Sequence, residues 1–324
     1  MNVIVAVFVT ALFALTGVAH GAEVTAKKIT DTEAPKIDGK VDKIWDSVRA
    51  TKIPVAEGKI GKIEVTMKVL YTDKDLYFLF QWPDETESLG RYYEFDGKAW
   101  KKAKGDQDRF AIMWDIHNTV KDFPARGCTA LCHQKGKEVF QNTDSPSERM
   151  DIWHWQAQLT NLLGYADDMY LGHELKEGAK SAQWQDAKTA GGNEANWDEG
   201  AKHPKYTFRE GASVGPVLLK KDAVAIKDYG QFKAGDRLPQ EVLGKPQGSL
   251  GDIEAKGAWE KGGLVAVSRW TLEIRRARVT EDKENDIQFT DPARAYPFGI
   301  AVHDNVGGND HSHSGKTGHK LLLK

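Results

Sequence analysis

The chain has 324 residues and a formal net charge of −2, because 45 lysines and arginines nearly balance 47 aspartates and glutamates. This balance argues against a nucleic-acid partner and against binding to a strongly anionic membrane surface. Ten tryptophans and 31 glycines against five methionines favour a β-rich, loop-rich protein over a helical bundle.

The first two dozen residues indicate the cellular compartment. Val3 to Val18 form a nearly unbroken apolar run that is too short to cross a bilayer comfortably, and the small residues Gly21 and Ala22 follow it. We therefore predict a signal peptide over residues 1–22 and a soluble periplasmic protein after cleavage. Because no lysine or arginine precedes the apolar run, retention of an uncleaved anchor stays open. No later apolar run reaches the roughly 18 residues that a spanning helix needs.

Alternating apolar residues predict three strands before the cysteines. Ile63 to Tyr71 alternates with a period of two, and Asp73-Lys74-Asp75 turns the chain into a second strand at Leu76 to Trp82. We expect these two strands to form an antiparallel hairpin. Asp108 to Ile116 is a third strand that is more continuously apolar, which is typical of a central position in a sheet.

Both cysteines of the chain lie after the third strand, in Cys128-Thr129-Ala130-Leu131-Cys132-His133. In an exported protein, Cys-x-x-Cys-His is the attachment signature of a c-type haem, because two thiols bond to the porphyrin and the adjacent imidazole ligates the iron. The spacing here is one residue longer, but two thiols and an imidazole can still meet on one side of a short turn. We therefore predict one covalent haem c on Cys128 and Cys132, with His133 as the proximal iron ligand.

Two other interpretations of the cysteines stay open. Exported proteins usually pair their cysteines, and a Cys128–Cys132 disulfide is geometrically allowed, although so small a loop adds little stability. A zinc site needs a fourth cysteine or histidine at finger-like spacing, which the sequence does not offer. The histidine directly after the second thiol favours haem attachment.

The middle of the chain combines one aromatic strand with a long polar stretch. Met150 to Ala157 contains Trp153-His154-Trp155, where alternation in a strand points the imidazole away from both indoles. Residues 172–209 are mostly small and polar, which is typical of a long surface excursion. Asp222 to Arg237 is predicted to hold one short strand.

Regular alternation returns near the end of the chain, in Leu264 to Ile274 and in Tyr296 to His303, and a short apolar run follows at Leu321 to Leu323. Strands therefore bracket an irregular middle that contains the cysteines. This arrangement predicts one mainly β domain over residues 23–324, an antiparallel β-sandwich with long irregular haem-binding loops and short helices. A loop-rich insertion is expected around residues 172–209.

A haem iron bound by His133 has a second axial position. The candidate ligands for that position are His154, His311, His313, His303, His117, Met113 and Met150. Met113 is most simply a core residue of its strand. His303 stands at the end of a strand, where a hydrogen bond at the rim of the sandwich also explains it.

His154 and the two histidines of the glycine-rich loop have competing explanations. His154 is as consistent with a buried structural histidine as with an iron ligand. The glycine-rich loop 307–314 carries His311 and His313 and either folds over a haem edge or forms a solvated polar segment.

Four stretches, taken together and in order, carry a family resemblance: Ile37-Asp38-Gly39, Asp108-Arg109-Phe110-Ala111-Ile112, Asp151-Ile152-Trp153-His154-Trp155 and Phe298-Gly299-Ile300-Ala301-Val302-His303-Asp304. Through this set the chain resembles the haem-binding domain family typified by the γ subunit of ethylbenzene dehydrogenase and related type II dimethyl-sulfoxide-reductase-like enzymes. It is similar in particular to the c-type relatives, exported cytochromes with a Cys-His attachment inserted before the Trp-x-Trp element. The resemblance covers most of the mature chain.

The resemblance implies a haem held in a β-sandwich. In the γ subunits, a methionine from the region before the Trp-x-Trp element and a lysine near the last strand hold it. This sequence places His133 in the first region and His311 near the second, so the resemblance makes His311 the first candidate for the distal ligand. The further candidates, in order, are His313, His154 and Met150, with Lys316 as a fallback near the last strand.

Two histidine ligands would saturate the iron, which suits electron transfer rather than catalysis on a substrate. The sequence has no serine-hydrolase or metalloprotease motif, and Asp167-Asp168 is most simply a loop or a calcium-type surface feature. The leading hypothesis is a monohaem c-type cytochrome that carries single electrons between a membrane quinol-oxidising complex or a dehydrogenase and a terminal reductase. Trp153 and Trp155 are expected to pack near the porphyrin.

Two alternative functions stay open. In the first, the chain is a haem-free exported binding module in which Cys128 and Cys132 form a disulfide and the tryptophans stack on a glycan. In the second, the chain binds haem as a subunit of a molybdenum enzyme. The presence of covalent haem separates the first alternative from the leading hypothesis.

Overall fold

The computed structural model describes residues 21–308, 310–315 and 318–324. Residues 1–20 of the predicted signal peptide and the fallback ligand Lys316 lie outside this part of the chain. Within it, 23 strands and an α-helix of four residues confirm the mainly β prediction. The described residues contain no helix that is long and apolar enough to cross a membrane.

The strands are numbered in chain order. The first eleven are β1 Glu23–Lys28, β2 Thr51–Val55, β3 Ile63–Tyr71, β4 Asp75–Pro83, β5 Tyr92–Phe95, β6 Trp100–Lys102, β7 Arg109–Asp115, β8 Cys132–Lys135, β9 Glu138–Gln141, β10 Met150–Gln156 and β11 Tyr165–Leu171. The remaining twelve are β12 Gln183–Gln185, β13 Glu194–Ala195, β14 Tyr206–Phe208, β15 Leu218–Leu219, β16 Ala223–Ala225, β17 Arg237–Pro239, β18 Glu241–Leu243, β19 Ile253–Glu260, β20 Arg269–Ala277, β21 Tyr296–His303, β22 Ser312–His313 and β23 His319–Leu323. The α-helix is α1 Phe123–Arg126, and 3₁₀ turns lie at Asp31–Glu33, Lys43–Ser47, Gly127–Leu131, Asn161–Leu163, Lys220–Asp222, Tyr229–Gln231 and Ser249–Gly251.

Two largely antiparallel sheets pack face to face, which confirms the predicted sandwich. The front sheet has the order β23-β21-β7-β10-β11, and the back sheet has the order β19-β20-β4-β3-β2. β1 joins them on one side, because it pairs in parallel first with β23 and then with β3. β11 joins them on the other side, since Tyr165 and Ala166 pair with β19 while the rest of the strand pairs with β10.

Large aromatic side chains fill the space between the two sheets. Trp153 and Trp155 of β10 are fully buried there. The ring centroid of Trp153 lies 5.3 Å from that of Phe78 on β4, and the centroid of Trp155 lies 5.0 Å from that of Trp270 on β20. A Cβ atom on Gly257 of β19 would lie 2.4 Å from the Trp155 ring, so this position requires glycine.

Strands lie where alternation predicts them in most of the sandwich. β3 and β21 have the predicted bounds, and β3 pairs with β4 as the expected antiparallel hairpin. β7 lies between β10 and β21, which confirms its central position in the front sheet. In each case alternating side chains enter the core from one face of the strand, so the period-two pattern reports burial directly.

The predicted strand at Leu264 to Ile274 is wrong in its first half. β20 begins only at Arg269, and Leu264 and Val265 are exposed. The partner strand β19 ends at Glu260, which pairs with Arg269, so the intervening residues form the connection. A segment with alternating apolar residues forms a strand only if a neighbouring strand is present to pair with its backbone.

The prediction of a loop or surface feature at Asp167-Asp168 is also wrong. Both residues lie within β11, and both are buried. The carboxylate of Asp167 accepts a hydrogen bond from Gln156 Nε2 at 2.7 Å, and that of Asp168 lies 3.5 Å from Arg276 Nη2. These partners come from β10 and β20, which are distant in the sequence. The local sequence around Asp167-Asp168 therefore does not show that both buried carboxylates have polar partners.

The excursion predicted around 172–209 contains β12, β13 and β14, and small sheets continue to the end of β18. These short strands pair in the orders β13-β18-β15, β14-β16 and β17-β5-β6. The last of these sheets attaches the excursion to the hairpin β5–β6. A separate apolar cluster supports it, formed by Tyr93, Trp100, Ile226 and Leu238.

Glu273 of β20 ties the N-terminal segment to the sandwich. Its Oε2 accepts hydrogen bonds from the backbone N–H groups of Asp38 at 3.2 Å and Gly39 at 3.0 Å, and its Oε1 accepts one from the Trp45 indole at 3.1 Å. Gly39 has a φ of 81°, a left-handed conformation that favours glycine at this turn. The fully buried carboxylate therefore organises the turn through three donors.

Replacing Glu273 with glutamine is expected to lower the free energy of unfolding by about 1–3 kcal/mol. Whichever way the amide lies, its NH₂ group faces either the two backbone donors or the Trp45 indole, so at least one buried bond is lost. Chemical denaturation followed by tryptophan fluorescence measures the change. Glu254→Gln on neighbouring β19 is the control, because Glu254 pairs with the exposed Arg275 at 3.3 Å and should contribute less than about 1 kcal/mol. Equal losses in the two variants would contradict this role of Glu273.

Candidate functional site

A cavity of about 290 Å³ lies on the outer face of the front sheet, away from the sandwich core. β7 forms the middle of its floor, with β10 and β21 on either side. The cysteine segment, residues 123–141, covers the cavity through Cys128 and Gln141, and the loop after β21 covers it through Gly308 and His311. The cavity therefore has regular strands as its floor, and the cysteine segment and the loop after β21 as its cover.

The floor of the cavity is built largely from small side chains. Ala301 of β21 pairs with Ala111 of β7, which pairs with His154 of β10. In the next row, Gly299 of β21 pairs with Met113 of β7. Side chains two residues apart on a strand share a face, so these residues all face outward. A mostly apolar floor with a few polar side chains is typical of a ligand-binding cavity.

Four histidines form a row beside this floor. Ring centroids lie 6.2 Å apart for His154 and His303, 4.8 Å apart for His303 and His311, and 5.6 Å apart for His311 and His313. Burial and, to a smaller degree, the charge of Arg109 lower the pKa of His154 to about 3 and the pKa of His303 well below its usual value. These two imidazoles are therefore neutral at pH 7, the form that binds a metal.

His303 and His311 each carry a buried nitrogen without a partner. The Nδ1 atoms of both rings lack a hydrogen-bond partner among the described residues. Both residues line the cavity. An unsatisfied buried polar atom costs about 1–3 kcal/mol, so two such atoms beside one cavity indicate a place for a ligand.

The segment before the cysteines is fixed to the sandwich at several points. Phe123 of α1 is fully buried, and Gly127 turns the chain with a φ of 54°. Thr129 Oγ1 lies 2.6 Å from the carbonyl oxygen of Gly315. These contacts hold Cys128 over the floor of the cavity.

Cys128 brings a thiol into the lining of the cavity. A Cβ atom placed on Gly299 would lie 3.6 Å from the Cβ of Cys128, so the thiol-bearing residue packs directly on the floor. Burial raises the pKa of the Cys128 thiol to about 12, which keeps it protonated at neutral pH. Both Cys128 and Cys132 are free thiols in this structure.

Cys132 and His133 begin β8 and are not among the described residues that line the cavity. Cys132 is exposed, and its Sγ lies 3.9 Å from the carbonyl oxygen of Cys128. His133 Nε2 lies 2.9 Å from the carbonyl oxygen of Asn142 and 3.7 Å from a carboxylate oxygen of Asp144. The structure thus brings one predicted attachment thiol to the cavity and leaves the predicted proximal ligand on a neighbouring hairpin.

The Trp-His-Trp element divides between the cavity and the core. His154 lines the cavity, on the face of β10 opposite to both indoles, as the alternation predicts. Trp153 and Trp155, which were expected to pack near a porphyrin, lie instead in the core between the sheets. Alternation places residues 153 and 155 on the inner face whenever residue 154 lies on the outer one.

The remaining ligand candidates take different positions. His311 lines the cavity. His313 lies next to it, and its Nδ1 accepts a hydrogen bond from the Gly315 N–H at 3.1 Å. Met150 is fully buried in an apolar cluster beneath the cysteine segment, and His117 is exposed.

Three further residues of the cavity lining were missed or assigned another role from the sequence. Met113 and His303 were among the candidate ligands, although a core position and a rim position explained them more simply, and both line the cavity. Arg109 lines it too, with a guanidinium that donates to the carbonyl of Val306 and a buried Nε without a partner among the described residues. Arg109, Ala111 and Met113 share one face of β7. The alternation of side chains along the strand predicts that they lie together, but it does not show that this face lines the cavity.

Comparison with known proteins gives a family match. A family model described as ethylbenzene dehydrogenase matches residues 22–315. No curated protein matches the chain.

The solved structures that match the chain share little sequence with it. A family 9 carbohydrate-binding module from Caldicellulosiruptor kristjanssonii, in complex with glucose, is 13% identical, with 93% of this chain and 95% of that chain covered and a TM-score of 0.35. A protein from Bacteroides uniformis described as carbohydrate-binding is 9% identical, with 94% of this chain and 100% of that chain covered and a TM-score of 0.39. Both TM-scores are too low to support an argument about function.

Proposed function

Because the chain belongs to the ethylbenzene dehydrogenase family, we propose that it is a periplasmic protein that carries single electrons by means of one covalent haem c. The observation that carries this proposal is the meeting of Cys128, from a haem-attachment motif, with His303 and His311 around one cavity. Both histidines present a buried Nδ1 without a partner among the described residues. A thiol, imidazole nitrogens and an apolar floor are the groups that a c-type haem requires.

In this proposal, Cys128 and Cys132 hold the haem through thioether bonds, His133 is the proximal ligand and His311 is the distal ligand. A bound haem supplies an iron centre that takes up and releases one electron at a time. Two imidazole ligands would leave no open iron position, so the residues of this chain would only hold the haem and shield it from water. For His133 to take this role, its ring must leave the carbonyl oxygen of Asn142.

The lining also fits the two chemically different parts of a porphyrin. Ala111, Gly299 and Ala301 form an apolar floor for the ring. Arg109 brings a mostly buried guanidinium to the same cavity, and its Nε has no partner among the described residues. A guanidinium is the strongest side-chain donor to carboxylates, so Arg109 would bind a haem propionate.

Family membership also supports a second candidate role, as the haem subunit of a molybdenum-containing dehydrogenase or reductase complex. In the first role the partners are a membrane quinol-oxidising complex, a dehydrogenase or a terminal reductase, and each contact is transient. Size-exclusion chromatography of the native protein distinguishes the two roles. Elution as a single chain supports the carrier, and co-elution with a molybdenum-containing subunit supports the complex.

Covalent haem attachment is expected to appear in the absorption spectrum and in the mass. Protein purified from cells that mature c-type cytochromes should show a Soret band that stays with the polypeptide after acid extraction, and a denatured mass larger by one haem. Replacing Cys128 and Cys132 together with alanine should make the haem extractable. A colourless protein, lighter than the reduced chain by two hydrogens, would indicate a disulfide and would overturn the proposal.

A further inference from the structure

Arg276 of β20 lies inside the protein with three aspartates around it. Its Nη2 is 3.4 Å from Asp151, 3.5 Å from Asp168 and 3.0 Å from Asp286. All four side chains are fully buried. A single guanidinium therefore faces three carboxylates. One positive charge cannot balance three buried carboxylates if all of them are ionised.

Asp286 belongs at the same time to a second acidic group, formed with Asp186 and Asp282. One carboxylate oxygen from each of these three residues lies within 4.8 Å of the other two. Asp186 follows β12, whereas Asp282 and Asp286 lie in the connection between β20 and β21. Asp286 is fully buried and Asp186 is 4% exposed, so two of the three carboxyl groups are removed from water.

Asp186 and Asp286 are poorly satisfied by the protein itself. Asp186 Oδ1 and both carboxylate oxygens of Asp286 are buried without a hydrogen-bond partner among the described residues. Asp286 does form an ion pair with Arg276 Nη2 at 3.0 Å, but Asp151 and Asp168 share that guanidinium. The one protein donor to Asp186 among the described residues is Ser249 Oγ at 3.4 Å. Burying several carboxylates on one shared guanidinium is costly, and buried charges are normally paired or coordinate metals.

Asp282 is oriented by its own loop. Its Oδ1 accepts hydrogen bonds from the backbone N–H groups of Glu284 at 3.1 Å and Asn285 at 3.0 Å, and its Oδ2 accepts one from Asn285 Nδ2 at 2.8 Å. Hydrogen bonds that fix a carboxylate in this way are typical of the groups that support metal ligands. The third member of the group is therefore held in position by its own loop.

We propose that Asp186, Asp282 and Asp286 bind one divalent cation, and that this cation is calcium. The three side chains supply only oxygen atoms, which calcium and magnesium prefer, whereas zinc and copper prefer nitrogen and sulfur. Ligands from two separate segments give an irregular site, which calcium accepts more readily than magnesium with its strict octahedral geometry. The ion fastens the β20–β21 connection to the region after β12, and this role is independent of haem binding.

Calorimetric titration of calcium into the chelator-treated full chain is expected to show one site. Asp186→Asn and Asp282→Asn should each weaken the calcium affinity by about tenfold or more, as expected when a metal ligand or its support is removed. Magnesium should bind more weakly than calcium to the unaltered protein. Thermal unfolding gives a second readout, because an ion that binds only the folded state raises the melting temperature.

Glu281→Gln is the matched control, since Glu281 is an exposed carboxylate in the same connection. It should leave the calcium affinity unchanged. Asp282 is less buried than Asp186, so Asp282→Asn tests the site even if Asp186→Asn fails to fold. The proposal is overturned if calcium gives neither heat nor a shift in melting temperature, or if Asp282→Asn binds calcium as the unaltered protein does. Equal affinities for calcium and magnesium would overturn the assignment to calcium.

Discussion

Replacing Arg276 with methionine is expected to destabilise the protein by about 3–5 kcal/mol, the cost of leaving buried charge without its partner. The substitution keeps much of the side-chain volume but removes the guanidinium that lies 3.0–3.5 Å from three buried aspartates. Asp151 and Asp168 come from neighbouring strands of the front sheet. Repulsion between their carboxylates would therefore destabilise the folded sandwich. Urea denaturation, compared with the unaltered chain at the same pH and with chelator present, measures the effect.

Arg275→Met is the control for this experiment. Arg275 is the preceding residue of β20, but its side chain is 46% exposed and pairs at 3.3 Å with Asp75 and with Glu254 on the surface. Solvent screening limits such pairs, so the expected loss is below about 1 kcal/mol. Similar losses for Arg275→Met and Arg276→Met would contradict the special role of the buried guanidinium.

The Arg276→Met effect should also depend on pH. Burial, together with the charge of Asp151, raises the pKa of Asp168 well above its ordinary value, and Arg276 opposes that rise. Without Arg276 the pKa of Asp168 rises further in the folded variant. Above the pKa of the unfolded chain, the folded variant therefore keeps a proton that the unfolded chain has released. A carboxyl group with a raised folded pKa contributes stability that is lost as the pH rises through that pKa. The destabilisation should therefore be larger at pH 8 than at pH 5.

Replacing His311 with alanine is expected to change the proposed haem from low-spin to high-spin. His311 lines the cavity and carries a buried Nδ1 without a partner among the described residues, and its removal would leave the iron with His133 alone. Absorption spectra of the oxidised and reduced protein report the spin state. Because the cysteines would still hold the porphyrin, the haem should remain attached. A spectral change with the haem retained then indicates loss of an iron ligand and not loss of the haem.

The exposed His117 provides the control for the ligand assignment. His117→Ala should keep the low-spin spectrum. If His311→Ala also keeps it, the assignment is wrong, and His303→Ala becomes the decisive variant, because His303 has the same unpartnered Nδ1 in the same cavity. His154→Ala tests the remaining imidazole of the lining.

Local patterns in the sequence determined the strands and their faces wherever a strand has one buried side. β3 and β21 match their predicted bounds, and the outward position of His154 follows from its two flanking tryptophans. The same reasoning fails between residues 261 and 268, because alternation says nothing about whether a neighbouring strand is present. Burial of alternate side chains is encoded locally, but a strand also needs a partner for its backbone.

The candidate site was predicted in part. The sequence identified Cys128, His154 and His311, which the fold brings to one cavity. It offered His303 only as one of several candidate ligands and gave Arg109 no role, since their proximity depends on the register between β7 and β21.

The sequence by itself determined a β-sandwich, the Cys-x-x-x-Cys-His spacing from Cys128 to His133, and which face of β10 carries the histidine. Only the tertiary structure decided that the tryptophans belong to the core, that small residues from two strands form one floor, and that Asp186 meets Asp286 across a hundred residues of chain. The physical reason is the range of the interactions. Side-chain alternation follows from the geometry of each strand, whereas a cavity or an ion site depends on pairing between segments that are distant in the sequence.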